Sequence, residues 1–281
     1  MQTTDNKSQG FLGNFANVDQ ANPADLVGRL DTMHGLEFFR SYKKETFALM
    51  QLSPGSRAAD VGCGTGEDAR HMAELVGSTG GVVGFDVSEA MLKEARIRKG
   101  SSLPNLQFRH SSADDLKMEP DFFDAIRADR VLTHVPDTSG ALREMVRVVK
   151  PGGRVIVSEP DMPGCWVTNQ HHAITERIMK AIAQSCVHPY VARDMYHHFR
   201  DVGLVDIRLI LRSVALVDPD PVEKILKFGA AMETMIAAGQ LGADEAALWM
   251  SEFNECRNSN RFLAGVTIFI VSGTKSARDQ G

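Results

Sequence analysis

The sequence predicts an α/β protein, a doubly wound parallel sheet with a helical cap. One observation is that apolar strand segments alternate with amphipathic helical segments over residues 56–160. Another is that a glycine-rich turn, Asp60-Val61-Gly62-Cys63-Gly64-Thr65-Gly66, directly follows the first strand and directly precedes a helix. A third is that helical segments interrupt this alternation after Asp161, and we expect them to form the cap.

Residues 1–55 are predicted to form an N-terminal tail and lid helices. The first 23 residues are rich in Asn, Gln, Ser and Gly, which is typical of a tail that is frayed or ordered only by a ligand. From Pro23 onward, apolar residues recur three or four positions apart until Ser53-Pro54-Gly55 stops the pattern. This spacing predicts two helices.

Residues 56–160 are predicted to form a cofactor-binding core of five strands. The strands are expected in the segments SRAADVGCG, GVVGFDV, NLQFRHSSADDL, FDAIRADRVL and RVIVSEPD. The helices between them are expected in EDARHMAELVG, in EAMLKEARIRK with Ser88 as its cap, and in ALREMVRVVKPGG, which Pro-Gly-Gly is predicted to end.

Residues 161–262 are predicted to form the helical cap, with one interleaved core strand at about 205–217. The cap helices are expected in TERIMKAIAQSC, ARDMYHHFRDVG, PVEKILKFGAAMETMIAAG and DEAALWMSEFNECR. Residues 263–281 are predicted to form a terminal strand and a tail.

Composition and charge exclude several kinds of partner. The 281 residues carry a net charge of -5 without a basic cluster, so nucleic acid is not an expected partner. The four cysteines contain no CxxC pair, which fits a reducing compartment. Neither a signal peptide nor a membrane-spanning stretch is recognised, so we expect a cytoplasmic protein without a membrane partner. The sequence leaves a homodimer open.

The glycine-rich turn predicts a ligand without phosphates. Its three alternating glycines allow left-handed backbone and close approach of a ligand. Where a dinucleotide motif has its third glycine, this chain has Glu67, followed by Asp68, and these carboxylates repel a pyrophosphate. A cationic nucleoside such as S-adenosylmethionine has no such conflict. Asp86, twenty residues after Gly66, stands where an acidic residue accepts hydrogen bonds from a ribose.

The ordered segments ADVGCGTG, GFDVSEAML, SSADDL, FDAIRADRVLTHVPD and LREMVRVVKPGGRVIVSEP resemble the successive motifs of class I S-adenosylmethionine-dependent methyltransferases. In particular they are similar to the small-molecule branch related to ubiquinone and menaquinone methyltransferases. The resemblance covers about residues 56–160. It implies a Rossmann-like, seven-stranded sheet with an antiparallel final strand, a cofactor at the carboxyl ends of strands one to four, and an acceptor beneath the cap.

The resemblance also implies a set of cofactor-binding residues, carried over position by position: Asp60, Gly62, Cys63, Gly64, Gly66, Asp86, Val87, Ala113, Asp114 and Arg130. The glycine loop with Asp60 would surround the methionine part, Asp86 would hold the ribose, and Ala113 with Asp114 would meet the adenine. Arg130 would line the methyl-transfer site. Two alternatives stay open: Asp60 stabilises the loop, and Asp114 caps a helix.

His134, in VLTHVPD just after strand four, is the candidate catalytic base, because a histidine can take a proton near neutral pH. The alternative is that it orders the loop. In the cap, His188 and the pair His197-His198 are further candidates, although surface or packing roles are favoured for them and for His171-His172. Adjacent histidines on a helix point in different directions, so no metal ion is expected.

Large apolar side chains of the cap are candidates to line an acceptor pocket, although their helical spacing favours a packed core. They are Trp166, Tyr190, Phe228, Met232, Met235, Trp249 and Phe253. Strand four reads ADRV and not the Asn/Asp-Pro-Pro-aromatic signature, which disfavours nucleobase or glutamine nitrogens as acceptors.

The resemblance implies methyl transfer from S-adenosylmethionine to an oxygen, nitrogen or carbon of a small molecule, with S-adenosylhomocysteine as product. The expected context is biosynthesis of a quinone-like compound or secondary metabolite. Two other hypotheses remain: a different reaction in the same cofactor pocket, such as a cyclisation, and a non-catalytic cofactor-binding partner module.

Overall fold

The structure is a computed structural model that describes residue 19 and residues 22–277. Its centre is one sheet with the strand order β3-β2-β1-β4-β5-β8-β6, and β7 pairs with β8. Strands β1 to β5 are parallel, and β8 runs antiparallel to β5 and β7. The strands are β1 (Arg57–Val61), β2 (Gly81–Asp86), β3 (Leu106–His110), β4 (Phe123–Asp129), β5 (Val149–Pro160), β6 (Trp166–Val167), β7 (Leu204–Leu216) and β8 (Ala264–Lys275).

This architecture confirms the predicted α/β class and the antiparallel final strand. It adds one short strand, β6, which sequence reasoning missed. Trp166 and Val167 pair with Gly265 and Ala264 at the start of β8. Two residues are too few for an alternating pattern to reveal a strand.

The helices of the described chain are α1 (Pro23–Gly35), α2 (Glu37–Met50), α3 (Glu67–Val76), α4 (Glu89–Lys99), α5 (Thr138–Val148), α6 (His172–Gln184), α7 (Val191–Asp201), α8 (Pro219–Leu226), α9 (Phe228–Ala237) and α10 (Ala243–Asn258). Apolar residues of α2 and α3 join one core cluster with strand residues such as Ala58, and those of α5 and α7 join another with Ala59. Because neighbouring strand residues point to opposite faces, the sheet is covered on both sides.

The cap has a core of its own. Residues from α6, α8, α9 and α10 form a separate apolar cluster in which Trp249 and Phe253 stack at 5.6 Å between ring centroids. Phe228, Met232 and Met235 belong to the same cluster. The core interpretation of these side chains therefore agrees with their positions in the structure.

Two predicted helix boundaries are wrong. The segment predicted as one helix over residues 221–239 is divided into α8 and α9 at Lys227, whose left-handed backbone (φ 54°) ends the first helix. The helix predicted to run up to Pro151 ends at Val148, because Val149 already pairs with Phe123 of β4. Lys227 also forms an ion pair with Asp25 of α1. At both boundaries, therefore, a contact between residues distant in sequence accompanies the departure from the local pattern.

Within the residues that the structure describes, no helix combines the length and apolar character needed to cross a membrane. The cytoplasmic location stays a prediction. So does the division into tail, core, cap and terminal strand.

The sheet order fixes where a ligand can bind. After β1 the chain adds β2 and β3 on one side, then returns to place β4 on the other side of β1. A crevice opens at such a reversal, outside the carboxyl ends of the strands. The glycine-rich turn follows β1 and Arg130 follows β4, so both lie at this point.

Candidate functional site

A cavity of about 400 Å³ lies at the carboxyl ends of the parallel strands. We call its two parts the glycine-loop end, lined by Gly62, Gly64, Asp86 and Ala113, and the cap end, lined by Cys165, Trp166, Cys186, Val222 and Ile225. Asp86 of β2 lines the glycine-loop end and Ala264 of β8 lines the cap end, and because these strands lie on opposite sides of β1 and β4 in the sheet, the two ends are apart. Helix α1 supplies Leu26, Arg29, Leu30, Met33 and His34 to the wall.

The glycine loop approaches the cavity with bare backbone. Gly62 (φ 66°) and Gly64 (φ 51°) are left-handed, and both line the cavity. A Cβ at Gly62 would lie 2.4 Å from Val131 Cγ2. A side chain at this position would therefore collide with Val131 besides straining the backbone.

Gly66 serves a different purpose from the other two glycines. It is left-handed (φ 75°) and precedes α3 as its N-cap, and a Cβ there would lie 2.6 Å from Phe108 Cζ. It is not among the residues that line the cavity. In the structure Gly66 allows close packing of the helix start on β3, and its contact with the cofactor stays a prediction.

Asp86 ends β2 with its carboxylate held in place. Oδ2 accepts a hydrogen bond from Gly64 N at 2.8 Å, and Oδ1 accepts one from Ser88 N at 2.9 Å. Burial raises the pKa of Asp86 although these backbone bonds oppose the shift. Each oxygen keeps a further lone pair, so the carboxylate can also accept from a ribose hydroxyl.

The other residues predicted to meet the nucleoside separate into two groups. Cys63, Val87 and Ala113 line the cavity, and burial raises the pKa of the Cys63 thiol, which keeps it neutral. Asp114 is exposed, does not line the cavity, and accepts a hydrogen bond from Ser112. Ala113 therefore lies at the cavity and Asp114 outside its wall, and the contact of each with the adenine stays a prediction.

Beneath the loop lies a buried network of charges that sequence reasoning missed. Asp60 is 3% exposed, and Oδ1 lies 3.3 Å from Arg127 Nη1. The same nitrogen lies 2.7 Å from Asp68 Oδ2, which Lys43 Nζ also approaches to 2.7 Å. The available signal was a charge, Arg127, between the apolar residues Ile126 and Ala128 within β4.

The pKa values of the two carboxyl groups that contact Arg127 are shifted in opposite directions. Burial raises the pKa of Asp60 to about 7, despite Arg127. Burial opposes ionisation of Asp68 too, but Arg127 and Lys43 outweigh it and lower the pKa of Asp68. Asp60 is thus the carboxyl in this network that titrates near neutral pH.

Arg130 follows β4 with a left-handed backbone (φ 58°), and its N–H donates to Ser158 O at 2.7 Å. Its Nε lies 3.2 Å from Asp129 Oδ2, and its guanidinium lies 5.1 Å from the centroid of the Phe39 ring. Burial opposes ionisation of Asp129, yet the nearby cations lower its pKa to about 2. Arg130 lines the cavity with its side chain paired to Asp129, and its place at the methyl-transfer site stays a prediction.

His134 lies in the short 3₁₀ turn Leu132–His134 and lines the cavity. Burial, followed by the charges of Arg29 and Arg130, lowers the pKa of His134 to about 3. The imidazole is therefore neutral at physiological pH, which lets it accept a hydrogen bond but makes it a weak base.

Glu159 fixes the turn that carries His134. Its Oε1 accepts hydrogen bonds from Val131 N at 2.8 Å and from Leu132 N at 2.6 Å. Burial raises the pKa of Glu159 to about 8. This residue, in the segment IVSEPD, was not singled out in the sequence.

The cap end is mainly apolar. Of the large side chains considered for an acceptor pocket, Trp166 lines it, whereas Tyr190 is 55% exposed and the others form the cap core. His188 holds the loop after β4 through Nε2, which lies 3.0 Å from Pro136 O. Among the described residues, no three His, Cys, Asp or Glu side chains are grouped so that they could hold a metal ion.

Comparison with known proteins gives a consistent result. A family model described as "Methyltransferase domain" matches residues 52–205. Demethylmenaquinone methyltransferase of Bacillus cereus is 40% identical over 142 residues, which cover 49% of this chain and 60% of that protein. The chain therefore spans about three fifths of the length of this curated relative.

Solved structures share the fold at lower identity. The YcgJ protein from Bacillus subtilis superposes with a TM-score of 0.61 at 17% identity, over 84% of this chain and 99% of that one. The [4+2]-cyclase SpnF superposes with a TM-score of 0.57 at 20% identity, over 94% of this chain and 97% of that one. Both likenesses concern the fold alone.

Proposed function

The chain belongs to the methyltransferase domain family, and from this premise we propose that it uses S-adenosylmethionine to methylate an oxygen, nitrogen or carbon of a small molecule. The acceptor is a quinone-like compound, as the name of the Bacillus cereus relative suggests, or another secondary metabolite. The observation that carries the proposal is the single cavity that joins the glycine loop and Asp86 to an apolar region beneath the cap.

The residues at the glycine-loop end fit the cofactor. Gly62 and Gly64 present bare backbone, and Asp86 presents a fixed carboxylate to the ribose. Ala113 and Val87 offer apolar contact to the adenine. The carboxylate of Asp86, which lines this end of the cavity, favours a ligand with hydroxyl donors over a diphosphate, which offers only acceptor oxygens and negative charge.

When bound, the cofactor supplies an electrophilic methyl group on a positively charged sulfur. The protein's own contribution is to hold the acceptor in line and to exclude water, and such positioning can supply much of the rate. Helix α1 and the cap enclose the cavity, and Glu159 fixes the turn of His134. We propose that His134 touches the acceptor as a neutral imidazole.

The test is incubation with methyl-labelled S-adenosylmethionine and a panel of reduced quinones, phenols and amines. We expect label in a low-mass product together with S-adenosylhomocysteine. Transformation of an acceptor with the cofactor unchanged would support the cyclisation hypothesis instead. Cofactor binding without any product from the panel or from a metabolite extract would support the non-catalytic module. Size measurement by light scattering would test the homodimer, which stays a prediction.

A further inference from the structure

Trp166 is an accessible aromatic side chain in the wall of the cap end. It lines the cavity, and the residue is 45% exposed. The other residues that define the cap end, Cys165, Cys186, Val222 and Ile225, are buried or half-buried. Since tryptophan is also the largest of these side chains, Trp166 presents more accessible surface to a ligand than any of the other four.

The indole ring of Trp166 is held in place by the sheet. Trp166 and Val167 form β6, which pairs with Gly265 and Ala264 at the start of β8. A Cβ at Gly265 would lie 2.4 Å from both Cε2 and Cζ2 of Trp166 and 2.6 Å from Nε1. The ring therefore rests directly on glycine backbone, and a side chain at residue 265 would displace it.

The wall around Trp166 suits an apolar ring. Val222 and Ile225 of α8 supply aliphatic surface at this end. The thiols of Cys165 and Cys186 are neutral, because burial raises the pKa of Cys165 to about 12 and that of Cys186 to about 11. A flat conjugated ring can cover these groups without leaving a buried polar atom unpaired.

The two tryptophans of the chain have different aromatic surroundings. Trp249 is fully buried in the cap core and stacks on Phe253. Among the residues that the structure describes, Trp166 forms no such pair with another ring. Aromatic rings attract one another in offset-stacked and edge-to-face arrangements, so the accessible ring of Trp166 can take a ligand ring as its partner.

We propose that the acceptor stacks on Trp166 and therefore carries a flat conjugated ring. The inference rests on the proposed function and narrows its acceptor class to quinols, naphthols and other phenols. Trp166 touches the acceptor but takes no part in proton or methyl transfer. A saturated ring of the same size gains the apolar contact and lacks the stacking, so Trp166 selects the conjugated ring.

The experiment uses tryptophan fluorescence, because the chain has two tryptophans and only Trp166 lines the cavity. The probe is 2,3-dimethyl-1,4-naphthoquinone, a flat ring that quenches indole emission on contact and whose methyl groups block addition of a thiol. It is titrated into the protein saturated with S-adenosylhomocysteine. We expect most of the emission to be lost in Trp249→Phe, which retains Trp166, and a smaller loss in Trp166→Phe. Equal losses in the two variants would overturn the proposal.

Calorimetry measures the contribution of stacking to affinity. Trp166→Leu should weaken binding of the same probe by about 3- to 10-fold, as expected for the loss of one aromatic pair. Gly265→Ala, which displaces the ring but retains it, should weaken binding to a similar extent. Tyr196→Leu is the matched control, because Tyr196 is an exposed aromatic residue of α7 outside the cavity wall, and it should leave affinity within about twofold. Unchanged affinity for S-adenosylhomocysteine shows that each variant is folded.

A pair of ligands tests the selection of the conjugated ring. We expect 2-naphthol to bind the unmodified protein at least about threefold more tightly than decahydro-2-naphthol, its saturated counterpart, and this preference to disappear in Trp166→Leu. A preference that persists in Trp166→Leu, or unchanged probe affinity in that variant, would overturn the proposal. If the probes bind as expected but no acceptor yields a methylated product, the proposed function fails and the ring-binding site stands.

Discussion

Arg127 Nη1 lies between two carboxylates, 3.3 Å from Asp60 Oδ1 and 2.7 Å from Asp68 Oδ2. Arg127 is 1% exposed, so it places a buried positive charge next to the two carboxyl groups at the base of the glycine loop. Removing one partner of a buried pair leaves the other charge uncompensated, which costs far more than losing an exposed ion pair.

We therefore expect Arg127→Met to lower the free energy of unfolding by roughly 3–5 kcal/mol, measured by urea denaturation. Arg177→Met, which removes an exposed ion pair with Glu245, is the control and should cost less than about 1 kcal/mol. The double variant Arg127→Met with Asp60→Asn should recover part of the loss, since one uncompensated carboxyl is removed. Equal losses in Arg127→Met and in the control would contradict this role.

The pKa of Asp60 predicts how stability depends on pH. Burial raises this pKa to about 7 in the folded protein, above its ordinary value of 3.8. Between these values the folded state binds a proton that the unfolded state lacks. The contribution of this proton to the free energy of unfolding is therefore fully present below pH 3.8 and is lost as pH rises through 7. Relative to Asp60→Asn, the unmodified protein should thus become less stable between pH 4 and pH 7. The comparison uses urea unfolding at several pH values, and a constant difference would exclude this titration.

The sequence was sufficient to predict those features of the structure that local geometry determines. The glycines of the turn, the cap residue Ser88 and the alternating strands are readable because each depends on near neighbours in the chain. It was insufficient where residues distant in sequence meet. Arg127 and Asp68 come together only once β4 lies beside β1, and Arg29 reaches the cap end only once α8 packs on α1.

Two glycines with the same φ give a test of the glycine loop. Gly62 and Gly77 both have φ 66°, but a Cβ at Gly62 would lie 2.4 Å from Val131, whereas nothing lies within 4 Å at Gly77. Gly77→Ala should cost about 1–3 kcal/mol from backbone strain alone, because φ 66° with ψ -175° is a region that side chains disfavour. At Gly62 the collision with Val131 should add about 1–3 kcal/mol to the strain of its own left-handed backbone. Gly62→Ala should also weaken S-adenosylhomocysteine binding at least tenfold, and unchanged binding would remove Gly62 from the cofactor site.

The carboxylate of Asp86 predicts the strength of nucleoside binding. In Asp86→Asn one oxygen becomes an NH₂ group, which cannot accept from Gly64 N or from a ribose hydroxyl. Hydrogen bonds to a charged group contribute about 1.5–3 kcal/mol, so we expect roughly a 10- to 100-fold loss of S-adenosylhomocysteine affinity by calorimetry. Asp114→Asn is the matched control, because Asp114 is exposed and outside the cavity wall, and it should change affinity less than threefold.

His134 offers the sharpest distinction between a catalytic base and a group that orients the acceptor. A general base contributes about 10²- to 10⁴-fold to the rate, and the rate falls on the acid side of the pKa of that base. Because burial and the two nearby arginines lower the pKa of His134 to about 3, an orienting role predicts no acid limb that depends on His134 between pH 5 and pH 8. His134→Ala should then lower turnover by about tenfold, because one hydrogen bond to the acceptor is lost, with cofactor affinity unchanged.

An acid limb that disappears in His134→Ala would instead establish proton transfer to the imidazole in the ternary complex. A joint loss of turnover and cofactor affinity would assign the residue to the structure of the loop.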